Sequence, residues 1–280
     1  MTAEAARGRL DGPMPQQRLP RGLPRAATVA LAVHLARRPL VVRLGTGFAA
    51  LVTLAAVAAA ALLGRRGDNA ALPAVVLVAS SALAYGSGIL VAFGGATQAL
   101  RRDREEGIRA LLHARGVTTG EYLVARAFGL ALVVGASTVG GTLATAIAAT
   151  VAAGRLSAAA ATLRASGVAV AAAAITSLLL ALVALAALGA RSRAGGYVVL
   201  VGLFVVPELL APWTSQLVPT AWARLVSLPG ALAAFREGLS AATFEPGLSL
   251  RAAATLLVCA LGLVGLVRAE LARLEHEGAR

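Results

Sequence analysis

The feature that most constrains this chain is a series of long apolar blocks without an ionisable side chain. Residues 44–64 form one such block and residues 69–100 another. A run of about 20 apolar residues matches a hydrocarbon core roughly 30 Å thick, and these runs reach or exceed that length. Hydrophobic residues make up 58% of the 280 and charged residues 14%. Ordinary globular chains carry roughly a quarter charged residues, so a soluble protein this poor in charge could not cover its surface. The expectation is an all-α polytopic membrane protein.

The blocks resolve into six transmembrane helices at about 44–63, 72–97, 122–153, 168–188, 197–210 and 252–267. Pro207 interrupts the fifth, and residues 211–248 are mixed, with Trp213, Trp222 and a short apolar stretch at 228–232. Residues 1–25 hold four prolines and five arginines and read as a disordered cytoplasmic tail. They lack the apolar core and small-residue cleavage site of a signal peptide. Residues 26–38 suit a short interfacial helix, with His34, Arg37 and Arg38 on one arc and Pro39 breaking it from the first span. The domain proper is therefore 26–280.

The net charge of +13 comes entirely from arginine against acids, because the chain has no lysine. Nucleic acid is not the expected partner: no aromatics interleave with the basic segments to make a stacking platform. The arginines fall instead in alternate loops. With the N-terminus inside, cytoplasmic segments hold eighteen of them and external segments seven, the bias of the positive-inside rule. Both ends are then cytoplasmic and the number of spans is even.

The segment 100–121, LRRDREEGIRALLHARGVTTGE, carries most information. On a helical wheel Ile108, Leu111 and Leu112 share one face, and Arg102, Glu106, Arg109 and His113 the opposite one. Pairs of Arg102 with Glu106 and of Glu105 with Arg109 would support a helix at 101–115. Gly116 would stop it, and Thr118 with Glu121 forms a capping box that would start the third span. Arg126 lies near enough to that start to snorkel to the interface. The acidic trio Asp103, Glu105 and Glu106, with arginines threaded between, reads as ion-paired helix surface.

This segment resembles the membrane subunits of type-2 ABC transporters. In that family an acidic residue and glycine precede a Leu-Leu pair, followed by a turn and then a basic residue at the third span. Glu106, Gly107, Leu111, Leu112 and Arg126 occupy those places here, with Gly116 where the family usually has proline and Arg126 where it usually has lysine. The resemblance implies a coupling helix that docks a cytoplasmic ATP-binding subunit through Asp103, Glu105, Glu106, Gly107, Arg109, Leu111, Leu112 and Arg115. It further implies an exporter permease in the bacterial inner membrane, a second permease chain, and short outer helices between the fifth and sixth spans.

The chain is not expected to be an enzyme. A phosphate-cradling P-loop needs lysine, and there is none for Schiff-base chemistry either. His34, His113 and His276 lie far apart, so neither a metal nor a cofactor is expected, and the lone Cys259 allows no internal disulfide. Glu208 is an ionisable residue within a span and so a candidate for the substrate pathway, or a partner for Arg224 or Arg236. Ser80, Ser81, Ser137, Thr138, Thr142 and Thr176 are expected to bond to their own helix or a neighbour. A secondary transporter or channel would place ionisable groups near the midplane. That reading, and one as a membrane assembly or maturation component, are the alternatives.

Overall fold

Proline sets the first boundary. In the computed structural model, which describes residues 26–189, 193–217, 224–240 and 246–277 with Pro219 and Trp222, helix α1 (Ala26–Arg37) ends just before Pro39. Pro39 has φ −62° and ψ 139° and opens α2 (Leu40–Arg66), as expected of a residue that cannot continue a helix but fits at the start of one. The tail 1–25 and Arg191 lie outside the described residues. Gly67, at φ 76°, closes α2, and its N–H donates to the Gly64 carbonyl, the left-handed stop that favours glycine.

The chain then runs through α3 (Leu72–Ala82), a π-helical turn (Leu83–Gly88), α4 (Ile89–Ala96), α5 (Ala99–Glu105) and α6 (Ile108–Ala114). The two longest helices follow, α7 (Thr119–Ala152) and α8 (Leu156–Leu188). After them come α9 (Arg193–Leu200), a second π-helical turn (Val201–Val205), α10 (Val206–Leu217), α11 (Leu228–Ser240) and α12 (Pro246–Glu277). Every element among the described residues is helical.

Five helices are long and apolar enough to cross a membrane: Leu40–Arg66, Asn69–Glu105, Thr119–Ala152, Leu156–Leu188 and Gly247–Arg273. That is the signature of a multi-pass membrane protein. The expected span at 197–210 is not among the five; it falls on α9, the second π turn and α10. The helices also overrun the expected boundaries. α8 begins at Leu156 and not at 168, so Arg164 lies within a helix and not in a loop. At 1.5 Å per residue its 33 residues span about 50 Å.

The burial pattern is that of helices with apolar surroundings. Leu44, Leu51, Leu54 and Leu62 of α2 are exposed, while its buried stripe is Val42, Gly45, Ala49, Ala56 and Ala60. Where lipid is the surroundings, large apolar residues face outward and small ones let helices approach. A Cβ on Gly45 would stand 2.8 Å from Val91, and one on Gly64 2.8 Å from Ala152. At the centre, every residue of α8 from Leu179 to Leu188 is buried. It packs with α7, α4 and α12 in a core that includes Val91, Leu130, Val134 and Leu263.

The buried hydroxyls behave as expected of polar groups within spans. Ser81, Ser137, Thr142 and Thr176 donate to carbonyls of their own helices. Ser80 donates across to the Ala169 carbonyl at 3.2 Å, and Thr138 and Ser177 share a bond of 2.7 Å between α7 and α8. α11 folds back on α8 and α12 through Leu179, Ala231, Leu232, Ala252 and Leu256.

Candidate functional site

The segment from α5 to the start of α7 is an elbow. Its entry is a kink at Thr97–Gln98, where Gln98 has φ 55°. A non-glycine residue in that region is disfavoured by about 1–3 kcal/mol, and here local bonds hold it. Gln98 N–H donates to Leu188 O at 2.9 Å, and the N–H groups of Leu100 and Arg101 donate to Gly189 O at 3.0 and 3.3 Å. These donors satisfy carbonyls at the C-terminus of α8 that no helical partner can reach. The elbow is thereby stitched to the end of the central helix.

The expected single helix at 101–115 is two helices. Gly107, at φ 70°, separates α5 from α6, and Gly116, at φ 75°, ends α6. The helix is broken at Gly107, so Arg102, Glu106, Arg109 and His113 do not form one continuous helical face. Two ion pairs form here that the spacing argument did not name. Arg101 Nε pairs with Glu105 at 2.9 Å, and Arg38, from the link between α1 and α2, reaches Glu106 at 3.7 Å. All four side chains are about half exposed, so each pair contributes at most about 1 kcal/mol.

Asp103 is not surface. With Ala99 and Leu100 it forms the buried face of α5, and it is 1% exposed. Its partners come from the first turns of α7. Tyr122 Oη donates to Asp103 Oδ2 at 2.7 Å, and Arg126 Nη2 donates to Oδ1 at 3.0 Å. Arg126 Nε also lies 2.7 Å from Oδ2, but its N–H points off the line of that oxygen. The contact there is one of charge and not a hydrogen bond. Arg126 Nη1 donates to the Ala32 carbonyl of α1 at 3.4 Å. Far from snorkelling, Arg126 is 7% exposed and ties three helices together.

The start of α7 has the predicted capping box. Glu121 N–H donates to Thr118 Oγ1 at 3.3 Å, and Thr118 N–H donates to Glu121 Oε2 at 2.8 Å. This fixes the pitch at which Tyr122 and Arg126 meet Asp103. α1 crosses α7 at Gly129, where a Cβ would stand 2.6 Å from Ala32 Cβ. No larger residue permits that approach.

Of the residues the resemblance pointed to, the structure divides two sets. Glu105, Glu106, Gly107, Leu111 and Arg115 are exposed on the elbow, with Arg109 half-buried. Leu111 is 55% exposed, whereas Leu112, from the same Leu-Leu pair, is buried in the core. Asp103 and Leu112 therefore hold the elbow, and Glu105, Glu106, Leu111 and Arg115 present it. Sequence reasoning missed Tyr122 and misassigned Asp103 and Arg126. The available signal was spacing: Ala99 and Leu100 lie one turn before Asp103 and share its helical face.

Glu208 stands apart from the elbow, on α10. It accepts a hydrogen bond of 2.6 Å from Ser227 Oγ, which in turn accepts from Gly230 N–H at 3.0 Å. The side chains of Arg224 and Arg236 lie outside the described residues. Among the described residues no three His, Cys, Asp or Glu are grouped to hold a metal. No protein-family model, no curated protein and no solved structure matches the chain.

Proposed function

We propose that the chain is the permease subunit of an ATP-binding-cassette exporter, with α5 and α6 as the coupling element for a separate ATP-binding subunit. The observation that carries this reading is the elbow's division of labour. One side presents half-exposed charges and an exposed leucine, and the other is anchored by a buried ion pair to a long helix. A docking element that moves spans needs both, because force applied at Glu105 or Leu111 must be carried through rigid contacts. Asp103, Tyr122 and Arg126 supply that rigidity.

The reading takes α9, the second π turn and α10 as a sixth span, since they follow one another without a gap and expose Val198, Val201, Val205 and Leu209. With six spans both ends are cytoplasmic, in keeping with the arginine bias. The membrane is then a bacterial inner membrane, and a second permease chain completes the pathway. α1 is the interfacial helix. The alternatives, a secondary transporter or channel and a membrane assembly or maturation component, have less support. The buried Asp103–Arg126 pair is an ionisable cluster that a secondary transporter could use, yet Asp103 stands two residues from the end of its helix.

The test is co-purification with the ATPase encoded nearest to this chain in its genome. Reversal of charge at Glu105 and Glu106 together, or Leu111→Glu, abolishes capture of the ATPase while membrane insertion is unchanged. Undiminished capture with all three residues changed sinks the reading.

A further inference from the structure

Near the turn that joins α7 to α8 lies an open groove of about 600 Å³. Its walls are Ile147 and Val151 of α7 and Leu163, Gly167, Val170 and Ala171 of α8. Ile147, Val151 and Leu163 are 64%, 81% and 64% exposed, so the groove is uncovered. Two hydroxyls also line it, but both are already used. Thr150 Oγ1 donates to Ala146 O at 2.8 Å and Ser166 Oγ to Thr162 O at 2.7 Å. Neither hydroxyl proton is free to reach a polar ligand and the rest of the lining is apolar, so the occupant is hydrocarbon.

Charge at the groove's edge narrows this further. Arg155 immediately precedes α8, and Arg164 lies two turns into it. Arg164, Gly167 and Ala171 recur at i, i+3 and i+7, and so share one helical face. Both arginines are exposed, and neither has a partner among the described residues. We infer that this groove is a binding site for an anionic phospholipid, with an acyl chain between α7 and α8 and its headgroup drawn by Arg164, on the helical face of Gly167 and Ala171, and by Arg155 nearer the turn. Exposed arginines beside a gap between spans attract the negative charge of such headgroups. A second copy of the chain fits less well. A twofold contact brings the same patch against itself, and here it would gather the arginines of both copies near like charges.

The inference does not depend on what drives transport, and its test uses lipid alone. The full chain in detergent is titrated with dioleoyl-phosphatidylglycerol or dioleoyl-phosphatidylcholine, and bound lipid is counted by native mass spectrometry. Wild-type protein retains phosphatidylglycerol in preference to phosphatidylcholine. Arg155→Gln and Arg164→Gln each lower that preference by about fivefold, the effect of one basic residue near an anionic surface. Gly167→Leu, at a position where an added Cβ meets nothing within 4 Å, narrows the groove and reduces retention of both lipids. Ile147→Ser is a second groove variant at an exposed position and has the same effect. Equal retention of the two lipids by wild type, or unchanged retention in the four variants, overturns the inference. So does loss of a dimer in Gly167→Leu with lipid binding intact, which assigns the groove to a second copy.

Discussion

Arg126 and Asp103, on different helices and 23 residues apart, meet in a buried ion pair with a hydrogen bond of 3.0 Å between Nη2 and Oδ1. Neither charge has water to fall back on. Tyr122 and the Ala32 carbonyl take up further positions on the pair, so each ion is neutralised and hydrogen-bonded at once. Such a pair adds little over well-packed apolar residues, but breaking it leaves one buried charge alone.

The first prediction follows from that asymmetry. Asp103→Ala strands the Arg126 guanidinium and destabilises the chain by about 3–5 kcal/mol. The double variant Asp103→Leu, Arg126→Met removes both charges and recovers most of that loss. Thermal denaturation of the detergent-solubilised variants checks it: the double variant must melt above the single one. Tyr122→Phe, which removes one neutral donor from a carboxylate, costs about 1.5–3 kcal/mol.

How far the sequence foretold this depended on the range of each interaction. The capping box of Thr118 and Glu121 and the stop at Pro39 were legible because both act within a few residues. The apolar blocks were legible because the bilayer sets a length. The Asp103–Arg126 pair was not: an arginine near a span's start fits snorkelling as well as burial, and the acid that decides between them lies on another helix. The break at Gly107 was hidden for a different reason. Glycine inside a charged helical pattern reads as tolerated, and only the backbone conformation shows that it is required. The sequence pointed to six spans; its fifth falls on continuous helix from Arg193 to Leu217, which is not among the five helices long and apolar enough to cross a membrane.

Gly107 gives a second prediction, one that separates conformation from space. Its Cβ position is empty, so a substitution there meets only the strain of φ 70°. Gly107→Val costs about 1–2 kcal/mol, while Gly107→Asn, whose side chain tolerates the left-handed region, costs less. The order of the two melting temperatures checks this. Equal melting temperatures would show that the elbow does not need its bend.

At Gly129 the reverse holds, for φ there is ordinary and space is lacking. Gly129→Leu would drive its side chain into the backbone of Ala32 and Val33, where even a Cβ stands 3.0 Å from backbone atoms. α1 must then lift from α7, and the bond from Arg126 to the Ala32 carbonyl is lost. Trypsin cleavage after Arg37 reports that release, since a docked helix resists the protease better than a detached one. Gly47→Leu, at another helical glycine with nothing within 4 Å, leaves the cleavage rate unchanged.

The final prediction concerns the sixth crossing, because it decides where the chain ends. In a Cys259→Ser background, single cysteines are placed at Asp68, Gly116 and Glu277 and probed with a membrane-impermeant maleimide. The first two flank a single long helix, Asn69–Glu105, and are therefore on opposite sides of the membrane under either count. Asp68 reacts in intact cells, and Gly116 reacts only after the membrane is opened, if the arginine bias sets the orientation. Glu277 is the position that discriminates. If α9, the second π turn and α10 cross together, Glu277 is protected along with Gly116. If they do not cross, only one further long helix follows the 190–192 connection, and Glu277 reacts in intact cells. The positive-inside rule favours protection: Arg268 and Arg273 lie near the end of α12, and moving them across the membrane would place basic residues on the side where loops carry few.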